Sequence, residues 1–96
     1  MLTWVIYDVS DDKKRNKIAK NCKNIGLYRV QKSVFLGDIE KNRIDELKLQ
    51  CDDIIDKKTD SVYIFPLCED DFRKVKTCGN AFDKKLVSDE ILSIFF

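Results

Sequence analysis

Runs of apolar residues with two different periods divide this chain into predicted strands and helices. Leu2–Tyr7 is rich in β-branched and aromatic residues and ends at Asp8, which predicts a buried strand. Leu27–Ile39 fits either one bent strand or two short strands with a tight reversal near Gln31–Ser33. Ser61–Phe65 alternates in the manner of a further strand. The pattern therefore predicts three or four strands.

The first helix is predicted at about Asp11–Asn24. Ser10 or Asp11 can cap its N-terminus, and Gly26 suits the left-handed residue that follows a helix. When the segment is placed on a helix of 3.6 residues per turn, most apolar and charged side chains fall on opposite faces. One face carries Arg15, Ile18, Ala19 and Cys22, and the opposite face carries Lys13, Lys17 and Lys20. The lysines form either a solvent-exposed face or a ridge that contacts phosphates.

A second helix is predicted at about Lys41–Asp56, with Asn42 and Asp45 as a capping pair. Its apolar stripe consists of Ile44, Leu47, Cys51, Ile54 and Ile55, and Leu49 lies outside it. Two helices with one apolar face each must cover one side of a sheet. The order strand, helix, strand, strand, helix, strand predicts an α+β fold, a ferredoxin-like β-α-β-β-α-β sandwich.

The pattern changes near the end of the chain. We expect residues 1–78 to form the ferredoxin-like core and residues 79–96 to form a variable C-terminal tail. The tail ends on the apolar segment Asp89–Phe96, which predicts an added strand. An unpaired apolar strand at the terminus would be prone to association, so we expect it to pair with a second copy of the chain or with another protein. Pairing with its own sheet is the alternative.

Composition restricts the classes of function. The chain has 96 residues, 18 Lys and Arg against 17 Asp and Glu, and no histidine, so any nucleic-acid binding must come from local charge clusters. Any catalysis would depend on carboxylates and a metal ion. No apolar run is long enough to span a membrane, and Met1–Val5 lacks signal-peptide features, so we expect a cytoplasmic protein. Without a C-x-x-C pair, Cys22 and Cys51 are predicted to be reduced core thiols.

The residues with candidate chemistry cluster where the first strand ends. Asp8 is a carboxylate beside the positive N-terminus of a helix, at a sheet edge where ligands often bind. The alternative is a structural role, in which Asp8 caps the helix or forms an ion pair. Arg15 either pairs with Asp8 or Asp12, or presents its planar fork to a phosphate. Arg29 and Phe35 are both at odd positions of the predicted strand region, so their side chains are expected on one face. They either present a cation and a ring to a nucleotide, or the ring lies in the core.

Three segments carry a resemblance to a known family. The opening VIYDVSDDKKRNKIA, the centre GLYRVQKSVFLGDI and the strand DSVYIFPLCEDD are similar, in order and spacing, to the small CRISPR-associated endoribonuclease family. That family is the minor subunit of the two-protein machinery for spacer acquisition. The resemblance covers about Met1–Cys78, and the residues after Gly79 match no fixed pattern.

The resemblance implies a homodimer in which the C-terminal strand lies against the neighbouring protomer's sheet. It implies that Asp8 is the metal-binding and catalytic residue. It implies nucleic-acid-binding roles for Tyr7, Arg15, Lys17, Arg29 and Phe35. Lys17 stands where many members carry arginine, so it keeps the charge but loses the bidentate fork.

A metal site at Asp8 is reasonable only in the dimer, because one carboxylate is too few for Mg²⁺ or Mn²⁺. Two such acids facing each other across a twofold axis would supply a pair. The enzyme hypothesis is hydrolysis of single-stranded RNA or duplex DNA by metal-activated water. The alternative is a non-catalytic dimeric scaffold that bridges integrase subunits and grips a short DNA duplex. A regulatory module for a small ligand is disfavoured, since the sequence has no Gly-rich loop.

Overall fold

The computed structural model describes residues 1–79. Within this range four strands form one antiparallel sheet in the order β2-β3-β1-β4. The strands are β1 (Leu2–Asp8), β2 (Tyr28–Gln31), β3 (Val34–Asp38) and β4 (Ser61–Pro66), and the helices are α1 (Asp12–Asn24), α2 (Lys41–Ile54) and α3 (Glu69–Arg73). None of these three helices has the length and hydrophobicity that crossing a bilayer requires. The strand predicted at Asp89–Phe96 lies outside the described residues.

Strand β1 lies between β3 and β4, and its side chains alternate between two apolar surfaces. Val5 and Tyr7 are buried against α1 and α2 together with Phe35 of β3. Leu2 and Trp4 lie on the other face, where the fully buried ring of Phe72 packs 6.3 Å from that of Trp4. The two longer helices therefore cover one face of the sheet, and α3 covers part of the other.

The start and end of α1 follow the sequence signals. Asp11 is the N-cap, and its side chain accepts a hydrogen bond of 3.0 Å from the backbone N–H of Lys14. Gly26 follows the helix with a φ of 98°, a left-handed conformation that residues with a Cβ rarely adopt. Ser10, the other candidate cap, lies one residue before the N-cap and takes a different role at the site.

The predicted capping pair of α2, Asn42 and Asp45, is wrong. The N-cap is Glu40, whose carbonyl accepts from the N–H groups three and four residues later, and no side chain caps the helix. Ile39 is buried, and its N–H donates to the carbonyl of Met1. The chain therefore stays bonded to the sheet up to Ile39, and α2 begins only two residues later. The helix also ends at Ile54, two residues before the predicted end, because the next residue is extended.

The central segment is two strands, so the alternative of a single bent strand is excluded. Strands β2 and β3 pair antiparallel around a reversal at Lys32 and Ser33, within the range expected from the sequence. The register shifts between Arg29 and Gln31. Because of this irregularity, strand parity alone could not assign the side chains of the turn to one face.

The cysteines behave as expected for reduced thiols. Cys22 and Cys51 are buried between α1 and α2, and burial raises the pKa of Cys22 to about 12 and that of Cys51 to about 11. Cys68 and Cys78 are exposed. We therefore expect a thiol reagent at pH 8 to label two cysteines rapidly and the other two only after unfolding, which a timed absorbance assay with and without denaturant would measure. Rapid labelling of all four would contradict this packing.

Candidate nucleic-acid interface

An open cleft of about 760 Å³ lies where β1 ends and the β2–β3 turn approaches α1. Its lining residues are Tyr7, Asp8, Val9, Arg15, Asn16, Arg29, Val30, Gln31, Lys32 and Ser33. Four of the six residues selected from the sequence, Tyr7, Asp8, Arg15 and Arg29, are thus brought together around one space. They come from two strands and a helix that are separated along the chain.

Asp8 is the last residue of β1, and its side chain is exposed. Strand alternation places it on the same face of the sheet as Trp4 and Ile6, away from α1 and α2. No residue between 1 and 79 gives its carboxylate a hydrogen bond or an ion pair. Within this range Asp8 is therefore neither a helix cap nor an ion-pair partner, and its oxygens face the cleft or solvent.

Arg15 is held by the loop that follows Asp8. Its Nη1 donates to the carbonyl oxygens of Val9 and Ser10 at 2.9 and 3.0 Å, and its guanidinium forms an ion pair with Asp12. Of the two acidic partners that the sequence allowed, the structure selects Asp12. A guanidinium has five N–H donors, so these contacts leave donors for a further acceptor in the cleft.

Asp60 fixes the same loop from the other side. Its Oδ1 lies 3.4 Å from the backbone N of Ser10 and 3.5 Å from its Oγ, and its Oδ2 accepts from the N–H of Asp56 at 3.0 Å. The hydrogen bond from Asp56 is the largest cause that lowers the pKa of Asp60 below its usual range. Sequence analysis missed Asp60, although it directly precedes Ser61, the residue that pairs with Asp8.

Arg29 lies over a stack of two buried rings. Its Cζ is 5.2 Å from the centroid of the Phe35 ring, and the rings of Phe35 and Tyr7 stack with centroids 6.3 Å apart. Arg29 is exposed and has no acidic partner among residues 1–79. The two rings therefore hold a cation at the edge of the cleft without neutralising it.

The nucleic-acid-binding roles expected of Phe35 and Tyr7 stay predictions, and both rings lie in the core. Phe35 is fully buried and Tyr7 is 4% exposed, because both face the apolar sides of α1 and α2. Neither ring can stack on a base in this packing. Lys17 is exposed, but it does not line the cleft, so the structure separates it from the other predicted residues.

The cleft also contains polar residues that the sequence analysis did not select. Asn16 lies on α1, and Gln31 and Lys32 lie at the β2–β3 turn. The signal that could have found them is the reversal near Gln31–Ser33, because a hairpin turn places its polar residues at the end of the sheet.

The donor set within one chain does not fit a divalent metal ion. Asp8 is the only carboxylate that lines the cleft, and no group of three potential ligands forms among residues 1–79. The nearby carbonyls of Val9 and Ser10 are occupied by Arg15. Since Mg²⁺ requires about six oxygen ligands, a site at Asp8 needs groups from outside the described chain.

The fold and the cleft define a small α+β protein in which one carboxylate, Asp8, and the guanidinium groups of Arg15 and Arg29 are among the described residues that line an open cleft. The family model for "CRISPR associated protein Cas2" matches residues 1–75, and the chain therefore belongs to the Cas2 family.

Individual relatives agree with this assignment. The chain is 42% identical over 76 residues to "CRISPR-associated endoribonuclease Cas2" of Desulforudis audaxviator, which covers 79% of this chain and 72% of the relative. It is 36% identical over 84 residues to "CRISPR-associated endonuclease Cas2" of Halalkalibacterium halodurans, covering 82% and 86%. The crystal structure of Streptococcus pyogenes Cas2 at pH 6.5 matches with a TM-score of 0.71 and 34% identity, covering 82% of this chain and all of that one.

Proposed function

We propose that this chain is a homodimeric CRISPR-associated endonuclease that cleaves phosphodiester bonds in single-stranded RNA or in duplex DNA. The observation that carries the proposal is the cleft, which is lined by Asp8, Arg15 and Arg29, with no partner for the Asp8 carboxylate among residues 1–79. The relatives from D. audaxviator and H. halodurans, named endoribonuclease and endonuclease, support the same chemistry.

In this proposal Arg15 and Arg29 hold the nucleic-acid backbone. Guanidinium groups bind phosphate through paired, charge-assisted hydrogen bonds. The rings of Tyr7 and Phe35 are buried, so among the lining residues the cleft offers no aromatic surface to the bases. We therefore expect contacts to phosphates rather than to bases, with strong salt dependence and little sequence preference.

Asp8 is the residue we assign to a divalent cation, Mg²⁺ or Mn²⁺. The ligand shortage within one chain leads us to propose that Asp8 of a second protomer supplies the other carboxylate. When bound, such an ion would act as a Lewis acid that lowers the pKa of water and offsets charge on the phosphoryl group. Asp8 would hold the ion, and Arg15 and Arg29 would orient the phosphate that is to be cleaved.

A cleavage assay tests this function directly. Purified protein is incubated with labelled single-stranded RNA or duplex DNA, in the presence of Mg²⁺ or of a chelator. We expect product from at least one substrate, and only when the metal is present. Equal product in the chelator would overturn the metal dependence.

The sheet face without the longer helices supports the homodimer. Ile6, Tyr63 and Phe65 are between 37% and 62% exposed on this face, and Phe65 stacks on Trp4 with centroids 6.5 Å apart. Asp8 lies on the same face by strand alternation. Pairing two copies through this face would bury exposed apolar surface and draw the two Asp8 residues towards a common axis. We further propose that the segment Asp89–Phe96 pairs with the partner's sheet.

Replacing Tyr63 with glutamate should convert the dimer to a monomer. The side chain is 62% exposed in one chain, so the fold tolerates the change, but a dimer through this face would bury an unpaired charge. Light scattering coupled to size exclusion measures the mass. Leu49→Glu is the matched control, because Leu49 is 65% exposed on α2 and away from the sheet. A Tyr63→Glu dimer as stable as that of Leu49→Glu would exclude this face.

A non-catalytic scaffold is the second candidate, and it is supported by the finding that only one carboxylate among residues 1–79 lines the cleft. In this role the dimer would bridge integrase subunits during spacer acquisition and grip a short duplex through its phosphates. Integration of a short duplex by the integrase together with an Asp8→Asn variant separates the two roles. Undiminished integration without any cleavage by the wild-type protein would favour the scaffold.

We propose that the fold is the ferredoxin-like sandwich and that the protein acts in the cytoplasm. The fold proposal is supported by the order of strands and helices along residues 1–79, β-α-β-β-α-β followed by a short helix, and by the sheet order with β1 and β3 at the centre. The division at residue 78 between core and tail stays a prediction.

A further inference from the structure

The β2–β3 turn contributes a third cation to the cleft. Lys32 lies at this turn, lines the cleft together with Arg15 and Arg29, and is exposed. No residue between 1 and 79 gives it an acidic partner. The resemblance to the family assigned it no role, and neither strand parity nor spacing selected it.

The turn is anchored to a buried residue. The backbone N–H of Tyr7 donates to the carbonyl of Ser33 at 3.1 Å, and the Tyr7 hydroxyl donates to the carbonyl of Lys32 at 3.4 Å. Tyr7 is itself fixed by its stack on Phe35. A lysine on an unanchored loop would lose much conformational freedom on binding, whereas here the backbone is already ordered.

The balance of charge favours an anion at this position. Among residues 1–79, three cations, Arg15, Arg29 and Lys32, and one carboxylate, Asp8, line the cleft. The charge of Arg15 is offset by the ion pair with Asp12. Arg29 and Lys32 therefore carry most of the uncompensated charge of the cleft.

We propose that Lys32 binds a backbone phosphate adjacent to the one held by Arg15 and Arg29. The proposal rests on the proposed nucleic-acid function and adds a phosphate-binding residue to that site. A compact ammonium group suits this contact, because it acts as a point charge and imposes no bidentate geometry. Lys32 should thus contribute to affinity for any sequence.

The test measures how binding depends on salt. The full-length chain is titrated against labelled duplex DNA and single-stranded RNA between about 50 and about 200 mM salt. Lys32→Gln should reduce the slope of log K against log salt by about 0.9 on duplex or about 0.7 on single strands. On duplex, the rise in salt then costs the variant about 3.5-fold less affinity than it costs the wild type.

Two further variants control for charge and structure. Lys32→Arg should keep the wild-type slope, because it keeps the charge. Lys41→Gln removes an exposed lysine at the start of α2, outside the cleft, and should leave the slope unchanged. Thermal melts should be alike for all variants, since Lys32 and Lys41 are both exposed.

The outcomes separate this proposal from the proposed function. If wild-type protein binds and Arg15→Ala weakens binding, but Lys32→Gln has the slope of Lys41→Gln, the role of Lys32 is overturned. If wild-type protein binds neither probe, the proposed function fails first. A reduced slope with Lys32→Gln on only one probe supports the contact and identifies that nucleic acid as its ligand.

Discussion

Asp8→Asn should abolish metal-dependent cleavage while leaving nucleic-acid binding intact. Asparagine keeps the shape of the side chain but removes the charge, and a neutral amide is a poor ligand for a hard cation. Loss of even an outer-shell partner of a metal ligand typically costs about 10–100-fold, so we expect a loss of at least about 100-fold in cleavage rate. Removing a negative charge from the cleft that Arg15 and Arg29 also line should not weaken phosphate binding.

The control for this prediction is Asp53→Asn. Asp53 is an exposed carboxylate on α2 that does not line the cleft, so its neutralisation changes the net charge by the same amount. Cleavage should fall with Asp8→Asn and persist with Asp53→Asn, each measured in Mg²⁺ and in chelator. Equal cleavage by Asp8→Asn and wild-type protein would mean that the activity comes from a contaminant or another residue, and it would remove the catalytic role of Asp8.

Phe35→Ala should cost about 3–5 kcal/mol in free energy of unfolding, the range for truncating a buried aromatic ring. Phe35 is fully buried between the sheet and the two longer helices, so its removal leaves a cavity that neighbouring side chains fill only partly. This cost is a large part of the total stability of a small domain. Urea denaturation followed by circular dichroism measures it, and a cost below about 1 kcal/mol would contradict the packing.

A milder substitution at Phe35 separates its effect on stability from its effect on nucleic-acid binding. Phe35→Leu keeps an apolar side chain but removes the ring beneath Arg29, a contact of about 0.5–1 kcal/mol at exposed sites. We expect nucleic-acid affinity to fall by about 2–5-fold, because the guanidinium loses its fixed position.

Phe72→Leu is the matched control for that measurement. Phe72 is also a fully buried ring, but it packs against Trp4 on the opposite face of the sheet. Both leucine variants should lose a similar amount of stability, and only Phe35→Leu should lose affinity. Equal binding by the two variants would show that the ring under Arg29 does not position the cation.

Local signals predicted the first strand and the first helix well. The apolar run before Asp8 and the cap at Asp11 depend on residues that are close in sequence, and so does the left-handed Gly26. The cysteines on the helical stripes were likewise predicted correctly, because a residue on the apolar face of a surface helix is buried whatever it packs against.

The errors lie where distant parts of the chain meet. The capping pattern at Asn42 does not form, because the chain leaves the sheet at Ile39 and α2 has Glu40 as its N-cap. Two alternatives were open for Phe35, a ring that contacts a nucleotide or a ring in the core, and only the packing of two helices over the sheet decides for the core. Asp60 and Lys32 were missed because their neighbours at the site are 50 and 25 residues away along the chain, at Ser10 and Tyr7 respectively.

The sequence by itself determined the segments of this protein and the residue that ends its first strand. Hydrophobic period, caps and turn residues act within a few positions, and so they can be recognised without tertiary information. Only the tertiary structure decided that Arg15, Arg29 and Lys32 line one cleft with Asp8 and that Tyr7 and Phe35 support this cleft from the core. Those relations depend on strand register and helix packing, which are set by burial of the whole apolar surface at once.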